Sequence, residues 1–266
     1  MPDLDLPAHL SPQHATALQA LADRNDADHG DGFLGLVLSG SAGRGMATER
    51  SDLDVLVVLT DDAAAGRRTT KSPDVDEVPT PLAELEELPA FGTDGWWYRW
   101  SCAWAPVLLD RTGGVLPDLV RRHATLAPDE QRDVLVTHDR LDGYVNYAFR
   151  ALKNDRDGRH LERRLDAAES VPWLLDTVFA LEGRVRPYMK YLPWELRTHP
   201  LPHWPAEETL DLLERTLDGD PQAVRETFVR VERAVHAHPA AGELTEILDG
   251  WGDQLDLLRP AGPGRA

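Results

Sequence analysis

The stretch Leu36-Val-Leu-Ser-Gly-Ser-Ala-Gly-Arg-Gly-Met-Ala-Thr-Glu-Arg-Ser-Asp-Leu-Asp-Val-Leu-Val-Val-Leu59 decides how the whole chain is interpreted. An apolar run from Phe33 to Leu38 stops just before Gly40, and a glycine-bearing loop follows. A second apolar run begins within the pattern Asp52-Leu-Asp54 and continues to Leu59. Short apolar runs that flank a glycine loop are typical of strands joined by a turn. The stretch therefore predicts a strand, a turn and a second strand.

The second strand begins with two carboxylates. Side chains two positions apart on a strand point to the same face, so Asp52 and Asp54 project together. Two neighbouring carboxylates repel each other and need a cation to share, and hard oxygen ligands suit Mg²⁺. We therefore predict that Asp52 and Asp54 are Mg²⁺ ligands.

The loop between the strands offers groups that suit phosphate. Gly40 lets the backbone turn and approach a ligand closely, Ser41 offers a hydroxyl and an N–H, and Arg44 offers a planar fork of donors. Phosphate donors beside a Mg²⁺ site describe a nucleoside triphosphate site. The spacing is Gly-x-x-Gly-x-Gly, and it matches neither a P-loop nor a dinucleotide-binding loop.

The same residues are similar to a known family. Gly40-Ser41, Arg44-Gly45 and Ser51-Asp52-Leu53-Asp54 resemble the Gly-Ser and Asp-x-Asp motifs of the DNA polymerase β-like nucleotidyltransferase superfamily. Small bacterial members that adenylylate aminoglycoside or lincosamide antibiotics look most similar. The resemblance implies a mixed α/β (α+β) catalytic domain, ATP as substrate, and a place for Ser51 among the nucleotide-binding residues.

The family also implies a third carboxylate on a neighbouring strand, which completes the metal site or takes a proton from the acceptor. Asp110 closes an apolar run and is our first choice, with Asp94 and Glu87 as alternatives. The aromatic run that begins at Trp96 is interpreted as packing in a strand, with stacking on a nucleobase as the alternative. No acid lies between Trp96 and Leu109, which departs from the family pattern.

The pattern becomes helical from about residue 128. Apolar residues recur at helical spacing from Leu141 to Leu152 and from Leu161 to Leu181, with an interruption or kink expected at Pro172. We predict a catalytic domain over residues 1–120, a helical bundle over 121–258 and a disordered tail over 259–266. The resemblance implies that a lysine of the helical domain reaches the triphosphate; Lys190 is the candidate and Lys153 the runner-up.

Composition limits the possible partners. The net charge is −18, and an acidic surface disfavours nucleic acid while it suits a cationic acceptor such as an aminoglycoside. No apolar stretch approaches the roughly 20 residues of a membrane span, and the chain does not begin like a signal peptide. We therefore expect a cytoplasmic monomer or homodimer that binds neither nucleic acid nor membrane.

Together these features predict a Mg²⁺-dependent enzyme. It would transfer AMP from ATP to a hydroxyl of a small acceptor and release pyrophosphate, and antibiotic resistance would follow from an aminoglycoside acceptor. One alternative is an enzyme that adenylylates a protein, as antitoxins of the same superfamily do. The other is a nucleotide-binding or regulatory protein that kept the fold and lost turnover.

Overall fold

A computed structural model describes residues 2–48 and 50–259. The chain divides into two compact units, the first ending at Thr125 and the second beginning at Leu126. The tail was predicted over residues 259–266, and its part after Arg259 lies outside the described residues.

A five-stranded sheet forms the first unit. Its strands are β1 (Phe33–Leu38), β2 (Leu53–Leu59), β3 (Thr70–Lys71), β4 (Val75–Pro81) and β5 (Val107–Asp110). The spatial order is β3-β4-β2-β1-β5, in which β2 and β4 are parallel and the other neighbours are antiparallel. The predicted mixed sheet and the first two predicted strands are thus confirmed.

Helices cover both faces of this sheet. The helices of the first unit are α1 (Pro12–His29), α2 (Gly40–Gly43), α3 (Asp61–Ala64), α4 (Leu82–Glu86), α5 (Trp96–Cys102) and α6 (Val115–Ala124). Ser11 caps α1, because its hydroxyl accepts a hydrogen bond from the N–H of His14 at 3.1 Å. Proline at the first position adds to this start signal.

Alternation along β2 separates the two cores of the first unit. Leu53, Val55 and Val57 pack in the core that contains α1. Val58 packs in the core on the opposite face, which contains residues of α6. Since side chains alternate across a strand, Asp52 and Asp54 belong to the face of Val58, beyond the end of its apolar core.

Strand β4 carries two prolines, and its hydrogen bonds explain how they are tolerated. The carbonyl of Asp74 accepts from the N–H of Leu53, so alternate residues of β4 direct their backbone groups to β2. Pro79 and Pro81 belong to the other set, whose backbone groups face the edge of the sheet. The short β3 pairs only with Asp76 and Glu77, so no ladder bond is lost at the prolines.

The second unit is helical in its described part. Its α-helices are α7 (Pro128–Arg132), α8 (Arg140–Arg156), α9 (His160–Leu181), α10 (Leu192–Thr198), α11 (Ala206–Leu217), α12 (Pro221–Ala237) and α13 (Ala241–Asp249). Shorter turns cover Asp133–Thr137, Met189–Tyr191 and Gly252–Leu257. Of the interruption or kink expected at Pro172, the interruption is wrong, because α9 runs through this residue as one helix; a kink there stays a prediction. Within residues 2–48 and 50–259, no helix has both the length and the apolar character needed to cross a membrane.

Candidate active site

Three carboxylates meet where β2 and β4 begin. Asp52 and Asp54 share a face, and the parallel register places Asp54 beside Asp76. Each of the three carboxylates has an oxygen that lies within 4.8 Å of an oxygen of each of the other two. Asp76 is buried, whereas Asp52 and Asp54 are half-buried. We call Asp52, Asp54 and Asp76 the acid cluster.

The acid cluster fits a divalent metal ion by its donor chemistry. Its ligand atoms are carboxylate oxygens, which are the donors that Mg²⁺ prefers. Three negative charges at this separation repel one another, so a cation shared among them stabilises the arrangement. The cluster therefore fits the ion that the sequence predicted, and it includes Asp76, which the sequence did not predict.

A lysine already lies on the cluster. The Nζ of Lys71 lies 2.9 Å from Oδ2 of Asp76. The hydrogen bond with Asp76, followed by the charge of Asp76 and the more distant charges of Asp52 and Asp54, raises the pKa of Lys71 above its ordinary value. The lysine side chain is largely exposed, and an ion pair of this kind contributes little to stability.

Gly40 lies directly against Asp54. Its φ of +61° is in the left-handed region that favours glycine. A Cβ atom at this position would lie 2.0 Å from Oδ2 of Asp54, far closer than any real contact. In addition, the N–H of Ser39 donates to the backbone carbonyl of Asp54 at 2.8 Å. The turn therefore packs directly against Asp54, and position 40 accommodates only glycine.

The two predicted serines lie in the same loop. Ser41 is buried in α2, and its carbonyl accepts from the N–H of Met46 at 2.8 Å. The hydroxyl of Ser51 accepts from the N–H of Thr48 at 2.9 Å, which closes the loop ahead of Asp52. Contact of Ser41 or Ser51 with a nucleotide stays a prediction.

Arg44 has a different environment from the one predicted. The side chain is buried, and its guanidinium donates to the carbonyls of Gly40 at 2.8 Å and of Ser101 and Ala103 at 3.1 Å each. It also stacks over the ring of Trp100, with its central carbon 4.2 Å from the ring centroid. Because these carbonyls take its donors inside the protein, Arg44 ties the loop to α5 and is not presented to a phosphate. We correct the sequence prediction accordingly.

Arg44→Met is therefore expected to destabilise the first unit. Methionine keeps the apolar stem but leaves buried carbonyls without donors, which costs about 2–4 kcal/mol of unfolding free energy. Thermal unfolding followed by circular dichroism checks this, and the melting temperature should fall by several degrees. An unchanged melting temperature together with a raised KM for nucleotide would instead support the phosphate role.

Asp110 also lies elsewhere. Its carboxylate accepts hydrogen bonds from the N–H and hydroxyl of Thr112 at 2.8 and 2.5 Å and from the N–H of Gly114 at 2.7 Å. Burial acts to raise the pKa of Asp110, but these hydrogen bonds outweigh it and the pKa lies below its ordinary value. The carboxylate therefore holds the turn that leads into α6.

The sheet register separates Asp110 from the acid cluster. Asp110 is opposite Gly35, and Gly35 is opposite Val58. Asp110 thus lies two strands across from β2 and four residues along it from Asp54. Asp110 is therefore not part of the acid cluster, and the third carboxylate of the cluster is that of Asp76. The alternatives are not members of the cluster either, because Asp94 lies in an exposed turn and Glu87 is the exposed residue that follows α4.

The aromatic run is a helix and not the predicted strand. Trp100 is buried on α5 beneath the guanidinium of Arg44, in agreement with a packing role. Trp97 and Tyr98 are 60% and 70% exposed on the same helix. The segment that begins at Trp96 therefore does not supply the strand on which the family pattern would place a third acid.

The predicted lysines belong to the helical unit. Lys190 is exposed on the turn Met189–Tyr191, with Nζ 5.0 Å from the ring centroid of Tyr191. Lys153 lies in the last turn of α8. A contact of either lysine with a triphosphate stays a prediction.

Comparisons with known proteins identify the domain that contains the acid cluster. Residues 33–135 match the family described as "Nucleotidyltransferase domain". No curated protein matches the chain. A solved structure, a nucleotidyltransferase-like protein from Exiguobacterium sibiricum 255-15, is 13% identical and has a TM-score of 0.41, with 90% of this chain and 80% of that chain covered. The family match confirms the predicted superfamily and enzyme class, and the resemblance to antibiotic-modifying members stays a prediction.

Proposed function

We propose that this chain, which carries a nucleotidyltransferase domain of the DNA polymerase β-like superfamily, transfers AMP from ATP to a hydroxyl of a small acceptor with release of pyrophosphate. The observation that carries the proposal is the acid cluster beside Gly40. Three carboxylates have oxygens within 4.8 Å of one another, and one of them, that of Asp54, lies directly against Gly40. This arrangement, inside a domain of this family, supports a site for a metal-bound nucleotide.

The reaction is an in-line displacement at the α-phosphorus. The acceptor oxygen forms a bond to phosphorus, the bond to the pyrophosphate oxygen breaks, and the hydroxyl proton leaves. A Mg²⁺ ion bound here would neutralise the phosphates and the charge that develops on the leaving group. Asp52, Asp54 and Asp76 are the residues that would hold it.

Asp76 can serve in two ways at once. A carboxylate has two oxygens and about four lone-pair sites, so one oxygen can bind the ion while the other accepts the proton of the hydroxyl. Gly40 lies against Asp54, and the backbone N–H groups of Gly40 and Ser41 are the proposed ligands of the phosphates. In this proposal the aspartates bind the ion and accept the proton, and the turn binds the phosphates.

A cationic small molecule is the acceptor that the charge favours. The net charge of −18 attracts cations and repels polyanions. An amino sugar combines hydroxyls with positive charges, and it is therefore the first acceptor class to test.

The test is to incubate the protein with Mg²⁺, each of the four common nucleoside triphosphates and a panel of amino sugars. We expect pyrophosphate release that requires both ATP and an acceptor, and a product heavier than the acceptor by one AMP. The Asp54→Asn variant is the control and should give neither signal. Label found on a polypeptide would favour protein modification, and the absence of transfer with every pair would contradict the proposal for small acceptors.

A further inference from the structure

Backbone pairing places Lys71 beside the acid cluster. Strand β3 is two residues long, and its antiparallel register puts Lys71 opposite Asp76. Residues directly opposite on antiparallel strands present their side chains on the same face. The distance of 2.9 Å between Nζ and Oδ2 of Asp76 therefore follows from the way the edge of the sheet is built.

This lysine and a metal ion would compete for the same carboxylate. The three aspartates carry three negative charges, and Lys71 neutralises one of them. A divalent ion bound by the same oxygens would repel the ammonium, since two cations a few ångströms apart interact by about 1 kcal/mol or more even in water. Asp76 cannot keep its full contact with both.

We propose that Lys71 is the counter-ion of the acid cluster in the metal-free protein, and that a divalent ion must displace it from Asp76 in order to bind. Lys71 thereby sets the concentration of divalent ion at which the site fills. The inference rests on the proposed function, because it takes the acid cluster as the metal site.

The exposure of Lys71 makes displacement feasible. Its side chain is 78% exposed, against 10% for that of Asp76. Exposed ion pairs are worth about 1 kcal/mol or less, and the flexible four-carbon stem lets the ammonium swing into water. Lys71 should consequently tune metal affinity by a modest factor and not block the site.

The experiment measures the binding of Mn²⁺ alone to the 266-residue chain, with electron paramagnetic resonance to count the free ion. Lys71→Gln removes the competing charge, and we expect it to lower the dissociation constant roughly threefold to tenfold. Lys71→Arg keeps the charge and should stay much closer to the wild type.

A matched control separates this local effect from a change of net charge. Arg24 pairs with Glu77, the neighbour of Asp76 on β4. Adjacent strand residues point to opposite faces, so Arg24→Gln removes a positive charge of α1 that pairs with β4 on the face away from the acid cluster. We expect Arg24→Gln to leave Mn²⁺ affinity within about twofold of the wild type, since more distant exposed charges are screened.

The outcomes are distinct. The inference is supported if Lys71→Gln binds Mn²⁺ more tightly than the wild type while Lys71→Arg and Arg24→Gln do not. Equal affinity in the wild type and Lys71→Gln, weaker binding in Lys71→Gln, or equal tightening in Arg24→Gln would overturn it while leaving the metal site in place. If the wild type and all variants fail to bind Mn²⁺, the proposed function fails at its metal site and the inference fails with it. Thermal melts of each variant establish that it is folded.

Discussion

Replacing Asp54 by asparagine should lower the rate of nucleotidyl transfer by about 10³-fold or more. Asparagine has the same shape but carries no charge, so the cluster loses one of the groups that would hold the ion. Metal catalysis supplies several kcal/mol of transition-state stabilisation, and each 1.36 kcal/mol is about a factor of ten in rate. Asp54 lies against Gly40 and beside Asp76, at the centre of the cluster.

The same variant should keep its fold. Asp54→Asn removes one of the three negative charges of the acid cluster, which weakens the repulsion among them. This gain in stability offsets the loss that arises because an amide accepts weaker hydrogen bonds than a carboxylate. We expect a melting temperature within roughly 4 °C of the wild type, which corresponds to about 1 kcal/mol for a chain of this size. Steady-state kinetics with a pyrophosphate assay measure the rate. A folded Asp54→Asn with near wild-type kcat would contradict the assignment of the acid cluster as the catalytic site.

Gly40→Ala should also abolish most of the activity, for a steric reason. The added methyl would lie 2.0 Å from Oδ2 and 2.9 Å from Cγ of Asp54, so the carboxylate must move. Misplacement of a reacting group by about 1 Å can cost on the order of 10²-fold in rate. We expect kcat to fall by about 10²-fold to 10³-fold.

Gly45→Ala is the matched control for this substitution. Gly45 lies in the same loop with a φ of +67°, but a Cβ there would meet only His9, at an ordinary distance of 3.6 Å. Both variants bear the cost of a left-handed alanine, about 1–2 kcal/mol of unfolding free energy. The melting temperature of Gly40→Ala should therefore fall at least as much as that of Gly45→Ala, while only Gly40→Ala loses activity. Equal kcat values for the two variants would show that the contact with Asp54 has no catalytic role.

The strand, turn and strand around Gly40 were predictable because their signals are local. Phe33–Leu38 and Leu53–Leu59 are short apolar runs, and the glycine between them has the left-handed conformation that such turns need. The start of the first helix could also be predicted from the sequence, since Ser11 and the proline after it form a capping signal. These features depend on neighbours in sequence, so a pattern can report them.

The third acid was missed because its position depends on strand pairing. Asp76 follows a polar segment, and Pro79 and Pro81 argue against a strand in that region. The prolines are tolerated only because their backbone groups face an edge that the two-residue β3 leaves open. A sequence pattern does not reveal which strand becomes the parallel neighbour of β2, so Asp76 could not be placed beside Asp54.

Arg44 was misassigned for a related reason. An arginine in a glycine loop suggests a phosphate ligand, but its partners are carbonyls of residues 101 and 103 on another element. The aromatic run was predicted as a strand because tryptophan and tyrosine favour strands, but Trp96–Cys102 forms a helix. Packing against distant residues overrides local preference in both cases.

The most direct test of the account compares nucleotide binding in two acid variants. Melting temperatures of the wild type, Asp76→Asn and Asp110→Asn would be measured with ATP, with and without Mg²⁺. At about 100 times its dissociation constant a ligand adds roughly 2.7 kcal/mol of stability. We predict a Mg²⁺-dependent rise in the wild type and in Asp110→Asn, and its loss in Asp76→Asn. A rise that survives in Asp76→Asn but disappears in Asp110→Asn would contradict the account, because the metal-bound nucleotide would then lie away from the acid cluster.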